Sequence, residues 1–334
     1  MNLCVKTGGV DLASPLIGAS GLFGYGTEHE GLLDYASFGA IVTKTITLDP
    51  RQGNPPPRLV DVGSGVINSI GLENVGADAF LSEHLPGLDL PCRVFASIGG
   101  ANVEEYAALA SLLDEQAGGT QAGGTQADGA PADGAPADKM GSAGRVVGPG
   151  TLDALEINIS CPNVKQGGIA FGQDPESTRE VVSAVRKTTR LPLIVKVPPL
   201  VSGIEQVCLA ACDAGADALS VANTYPAMAI DIDRARPVLG ALSGGLSGGA
   251  IKPVSLLLVW KVARCVDVPV LAGGGIETAR DAIEYILAGA HALQIGSVIL
   301  KDTGAPAEIL AGLKSYMKTH GYDRLDDFRG KAAE

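Results

Sequence analysis

The sequence predicts an α/β protein folded as a closed (β/α)8 TIM barrel, one domain over residues 1–334 carrying a low-complexity insert at 118–150. Three observations predict it. Short apolar runs alternate with stretches of helical periodicity, and that alternation builds a parallel sheet. A phrase in which a glycine and an alanine lead into an apolar run recurs at Gly39-Ala40-Ile41-Val42, at Gly215-Ala216 before Ala218-Leu219, and at Gly289-Ala290 before Ala292-Leu293. Glycine caps a helix there, and the run that follows is short enough for a strand buried on both faces. About eight such units in roughly 300 residues suit a closed barrel better than an open sheet.

Strands are expected near residues 40–44, 93–97, 154–159, 193–197, 218–222, 269–272 and 292–296, with a weaker one near 238–242. Helices lie between them. One is expected over 103–114; in 176–190, Val181, Val182 and Val185 recur among charges, and in 277–288 Ala279, Ala282, Ile283, Ile286 and Leu287 do the same. Residues 118–150 break the pattern: Gly and Ala make up 17 of these 33 positions, so the segment has too little to bury and is expected to be disordered. Because it follows a helix and precedes a strand, it is expected on the barrel face opposite the active site.

Composition narrows the function. With 46% apolar and 19% charged residues the chain is globular, and no apolar run reaches the ~20 residues needed to span a bilayer. Its net charge of −12 argues against nucleic acid as a partner, since phosphate binding needs clustered cations. The start, MNLCVKTGGVDL, has no basic segment leading into an apolar one, so a cytoplasmic protein without membrane attachment is expected. Six cysteines are scattered without a CxxC pair, and none of the four histidines has ligand spacing, so no metal site is expected. Cys208 and Cys212 read as small core residues on a helix.

In a barrel of this kind the strands' C-terminal ends carry the chemistry, and here they are polar. The run at 40–44 ends in Thr43-Lys44-Thr45, that at 154–159 in Asn158-Ile159-Ser160-Cys161-Pro162-Asn163, that at 193–197 in Lys196-Val197, and that at 218–222 in Ala222-Asn223-Thr224. Lysines and asparagines at such positions are hard to explain by packing. Gly273-Gly274-Gly275 after the seventh strand and Gly296-Ser297 after the eighth form a phosphate cradle, where bare backbone N–H groups receive an anion. No GxGxxG follows the first strand, which argues against nicotinamide bound in the Rossmann manner. Cys161 precedes Pro162 on a loop containing Gly167, Gly168 and Gly172, a setting for a nucleophile or base under a closing lid.

Four segments together resemble the dihydroorotate dehydrogenase family: Asn158-Ile159-Ser160-Cys161-Pro162-Asn163-Val164-Lys165, Lys44-Thr45-Ile46-Thr47, Asn68-Ser69-Ile70-Gly71-Leu72, and Gly244 to Pro253. The cysteine at 161 resembles the class 1 enzymes, and Gly244-Gly245-Leu246-Ser247-Gly248 is similar to the class 1B catalytic subunit. The resemblance implies FMN-dependent oxidation of dihydroorotate to orotate in de novo pyrimidine biosynthesis. It further implies electrons passed to NAD⁺ through a partner subunit holding FAD and a 2Fe-2S cluster, and a homodimer core within a heterotetramer. Cys161 would be the base and Lys44 the partner of the substrate carboxylate. Substrate contacts would come from Lys44, Asn68, Ser69, Ile70, Gly71, Leu72, Asn158, Asn163, Asn223 and Thr224. Asparagine suits a pyrimidine because its amide both donates and accepts. FMN contacts would come from Ser20, Lys44, Thr45, Ser97, Asn158, Lys196, Ala222, Gly248, Gly274, Gly275, Gly296 and Ser297, with Lys196 offsetting the charge of the reduced ring. Ser97 stands where the family usually has asparagine, so its flavin contact is either lost or bridged by water.

Rival readings are a fumarate-reducing class 1A enzyme, a flavoprotein like dihydropyrimidine dehydrogenase, an aldolase with Lys44 or Lys196 as Schiff base, and a barrel that only binds.

Overall fold

The computed structural model of the protein describes residues 1–119, 150–160 and 169–333. Eight parallel strands close a barrel: β1 Leu16–Gly18, β2 Ala40–Val42, β3 Arg93–Ile98, β4 Ala154–Asn158, β5 Leu193–Lys196, β6 Ala218–Val221, β7 Val270–Gly273 and β8 Ala292–Ile295. Each pairs with its neighbours in chain order, and β8 closes on β1 through Leu293 opposite Leu16 and Gln294 opposite Ile17. Seven strands lie where the apolar runs predict them.

The eighth corrects the sequence reading. No strand forms over 238–242, and the missing one is β1. Leu16 and Ile17 are fully buried, but three residues between Pro15 and Ala19 leave too little periodicity to read. The 238–242 segment looks apolar but is a turn: only Leu239 is buried, Leu242 is exposed with φ 71°, and the Gly240 N–H donates to the Pro57 carbonyl. A side chain at Gly240 would collide with the Pro55 carbonyl.

Helices wrap the barrel with one stripe each turned inward. α1, Val103–Gly119, buries Tyr106, Leu109, Ala110 and Leu113 at i, i+3, i+4 and i+7. It runs one helical stretch further than expected, into the first residues of the insert. α2, Pro175–Thr188, starts on an Asp174 cap and buries Val181, Val182 and Val185. α3 is Ile204–Asp213, α4 Lys252–Ala263, α5 Ala279–Leu287 and α6 Ala305–His320. Thr278 and Asp281 form a capping box at the start of α5. No helix among the described residues is long and apolar enough to cross a membrane.

Two connections are long enough to build over the strand ends. The β2 connection carries Leu59–Asp61 and Val66–Asn68, and the β6 connection carries Tyr225–Ala227 and Gly244–Ser247. These four short strands form one antiparallel sheet in which Asn68 pairs with Gly245. Most of the expected disordered insert, 120–149, lies outside the described residues. The chain leaves at the end of α1 and returns at Gly150, whose N–H donates to the Leu88 carbonyl ahead of β3. Both points therefore sit toward the strand starts.

Candidate active site

A cavity of about 460 Å³ opens over the C-terminal ends of the strands, within the size range of cofactor pockets. It is lined by residues following seven of the strands: Ser20 after β1, Lys44 and Thr45 after β2, Asn158 of β4, Lys196 of β5, Ala222 and Asn223 after β6, Gly273 to Glu277 from β7, and Gly296 to Val298 after β8. The antiparallel sheet supplies Leu59, Val66, Asn68 and Ser247 from above.

Most of the residues expected from the sequence meet here. Ser20, Lys44, Thr45, Asn158, Lys196, Ala222, Gly248, Gly274, Gly275, Gly296 and Ser297, the residues expected to contact a cofactor, line the cavity. Asn68, Ile70, Gly71, Leu72, Asn223 and Thr224 line the expected substrate side. Two do not reach it. Ser97 is fully buried on β3, with its hydroxyl 2.9 Å from Thr45 Oγ1, and Ser69 is fully buried and accepts from Asn54 Nδ2 at 3.0 Å. Cys161, Asn163, Gly167 and Gly168 lie outside the described residues.

Side-chain polarity at the cavity floor is organised as a relay across strands. Asn223 Nδ2 donates to Ser160 Oγ at 2.8 Å, Ser160 Oγ donates to Asn158 Oδ1 at 3.0 Å, and Asn158 Nδ2 donates to Thr45 Oγ1 at 3.1 Å. The two asparagines are thereby fixed in orientation before any ligand arrives, which preorganises their free donors and acceptors. Ser160 is a member that the sequence reading passed over, although it lies inside the segment that carried the resemblance.

The glycine-rich rim is built for close backbone approach. Gly274 has φ 120°, and an added Cβ would lie 2.3 Å from Ser255 Oγ; at Gly275, with φ 69°, it would lie 2.8 Å from the Gly248 carbonyl. Side chains are excluded there by packing as well as by backbone conformation. Tyr285 OH donates to the Gly274 carbonyl at 2.6 Å, and burial pushes its phenol well up, so it remains a donor. The rim already receives an anion: the Gly249 N–H donates to Glu277 Oε1 at 3.0 Å.

Two carboxylates beside the expected lysines were not read as site residues. Glu73 accepts from Lys44 Nζ at 3.3 Å and pairs with Arg58 at 3.0 Å, and the Lys44 ammonium holds its carboxyl below the usual range. Glu156 is fully buried in β4, 3.6 Å from Lys196 Nζ, and accepts from Gln294 Nε2 at 3.1 Å. The signal for Glu156 was present, since it precedes Asn158 by two on one strand and both face inward; Glu73 lies on no element and carried none.

The sequence model of the dihydroorotate dehydrogenase family matches residues 2–121 and 134–317. A relative from Desulforudis audaxviator is 45% identical over 98% of this chain and 96% of its own length. Relatives from Geotalea uraniireducens and Pelobacter propionicus are 44% and 43% identical, each over 98% of this chain and 97% and 98% of theirs. All three are named dihydroorotate dehydrogenase B (NAD(+)), catalytic subunit.

Proposed function

Because the chain belongs to the dihydroorotate dehydrogenase family and is an oxidoreductase, we propose that it oxidises dihydroorotate to orotate over FMN held in the cavity, with Cys161 as base. The observation that carries the reading is the convergence of Lys196, Asn158, Thr45 and the glycine rim on one cavity. These residues fit the cofactor: the rim excludes side chains where a phosphate must approach N–H groups, and buried donors face the other end. FMN, when bound, would supply the hydride acceptor for the ring carbon next to the one that loses its proton.

The chain's own residues do the rest. Lys44 binds the substrate carboxylate and Asn68, Asn158 and Asn223 hold the pyrimidine amides, with Thr224, Ile70, Gly71 and Leu72 shaping the wall; Asn163, outside the described residues, joins this set on the family resemblance alone. The Cys161 thiolate takes the proton, and the electron pair left on that carbon closes the C=C bond as the neighbouring carbon gives up its hydride. Cys161 follows Ser160, whose carbonyl and hydroxyl both accept from Asn223 on the cavity wall. The relatives' names support onward transfer to NAD⁺ and a further subunit beside the catalytic one; a partner holding FAD and a 2Fe-2S centre, in a cytoplasmic heterotetramer, is what the family resemblance adds to that reading. The same names weigh against the fumarate-reducing, dihydropyrimidine and aldolase readings.

Cys161→Ala tests the base. The variant should retain flavin and slow its reduction by dihydroorotate about 10²–10⁴-fold in stopped flow. Reduction near the wild-type rate would remove Cys161 from this role.

A further inference from the structure

A polar cluster that substrate binding does not use runs from the cavity floor, where Lys196 and Gln294 line the cavity, down to Glu156 and Ser220. Glu156 on β4, Lys196 on β5, Ser220 on β6 and Gln294 on β8 are all buried inside the barrel. Gln294 Nε2 donates to Glu156 Oε2 at 3.1 Å, and its own Oε1 accepts from Ser220 Oγ at 2.9 Å, so the amide is fixed in one orientation. Glu156 Oε1, in contrast, has no hydrogen-bond partner. It faces Lys196 Nζ at 3.6 Å, within ion-pair reach but beyond a hydrogen bond. Lys196 also lines the cavity, so its ammonium lies between a buried carboxylate below and the cofactor space above.

A carboxylate removed from water needs a counter-charge, and a fully buried oxygen with no donor needs it most. Lys196 is the cation paired with it among the described residues. An ammonium drawn toward Glu156 is held back from an anion in the cavity, and the carboxylate's own charge opposes that anion, since the interior dielectric screens both interactions weakly.

We propose that Glu156 is a positioning residue for electron transfer: it divides the charge of Lys196 between itself and the cavity and thereby sets how readily the bound flavin is reduced. The inference rests on the FMN reading above. Reduction adds negative charge to the ring. Glu156 opposes that charge and Lys196 favours it, so the pair lowers the flavin potential from the value Lys196 alone would impose. Gln294 holds one carboxylate oxygen and keeps the other on Lys196.

The test equilibrates the purified, flavin-loaded proteins with a redox buffer and reads the ratio of reduced to oxidised flavin by absorbance. Glu156→Gln keeps the shape and removes the charge; it should raise the ratio at least tenfold at fixed buffer potential, about 30 mV for a two-electron couple. Lys196→Met should lower the ratio. In the Lys196→Met background the Glu156→Gln effect should be much smaller, since no ammonium is left for Glu156 to draw away from the cavity. A structural role would lower the melting temperature and leave the ratio unmoved, which overturns the proposal, as would equal shifts in both backgrounds. If Glu156→Gln does not accumulate folded, Gln294→Met serves. Glu156 then leans on Lys196 alone, and the ratio should fall severalfold; an unchanged ratio overturns the proposal. Wild-type protein without bound flavin would overturn the functional reading itself, and is distinguished from these outcomes by its spectrum.

Discussion

At the scale of single residues, the site is already charged and partly self-paired. Lys44 is engaged by Glu73, which Arg58 also holds, so an incoming substrate carboxylate must displace or share that partner. Glu73→Gln removes the competitor without removing Lys44. The Michaelis constant for dihydroorotate should fall roughly two- to fivefold, the size expected of a partly exposed ion pair, with little change in turnover. A rise would mean that Glu73 orients Lys44. A second residue governs stability. His291 precedes β8, and its Nδ1 accepts from the Val270 N–H at 3.2 Å; burial lowers its pKa to about 4, aided by the nearby Arg329 charge. Between about 4 and 6.5 the unfolded chain binds a proton that the folded chain refuses, so stability rises with pH through that window and is lost as pH falls. The loss by pH 4 is on the order of 3 kcal/mol. His291→Asn keeps an acceptor and does not titrate. Its melting temperature should be lower at neutral pH but flatter from pH 6.5 to 4, and a slope equal to that of wild type would exclude His291 as the cause.

At the scale of elements, what was legible follows from length and periodicity. β2 to β8 could be read because each apolar run is bounded by a polar strand end or a helix cap, and those same polar ends located Lys44, Asn158, Lys196 and Asn223. β1 could not, because Leu16–Gly18 is shorter than one period of evidence, and the apolar 238–242 stretch imitated a strand while spending its residues on a turn against 55–57. The antiparallel sheet over the cavity was equally hidden: its pairing joins Val66–Asn68 to Gly244–Ser247 across the whole centre of the chain. Glu156 was read as strand and Ser160 as loop, since neither shows its partner until the barrel closes. The insert is a prediction of the same scale. α1 ends and the chain resumes at Gly150 on the strand-start side, away from the cavity, and the family match is interrupted over 122–133. Replacing 120–149 with a short Gly-Ser link should leave flavin content and turnover within about a factor of two, as closure entropy changes slowly with loop length. Loss of flavin from a folded deletion variant would show that the segment reaches the active face.

At the scale of the whole molecule, the barrel divides its labour along its axis. Helices and apolar strand faces hold the ring closed, the buried Glu156–Lys196 pair sits within it, and the polar strand ends meet the antiparallel sheet around the cavity. In the function proposed above, this cavity joins a flavin to a carboxylated dihydropyrimidine. The most direct test of that function is an anaerobic titration of the purified chain, following the visible flavin absorbance, with dihydroorotate and with dihydrouracil, which lacks the carboxylate. Flavin should be bleached by about one equivalent of dihydroorotate and left oxidised by dihydrouracil, since Lys44 then has no anion to bind. Bleaching by dihydrouracil as readily as by dihydroorotate, or a chain that purifies folded and colourless and takes up no FMN, would contradict that function.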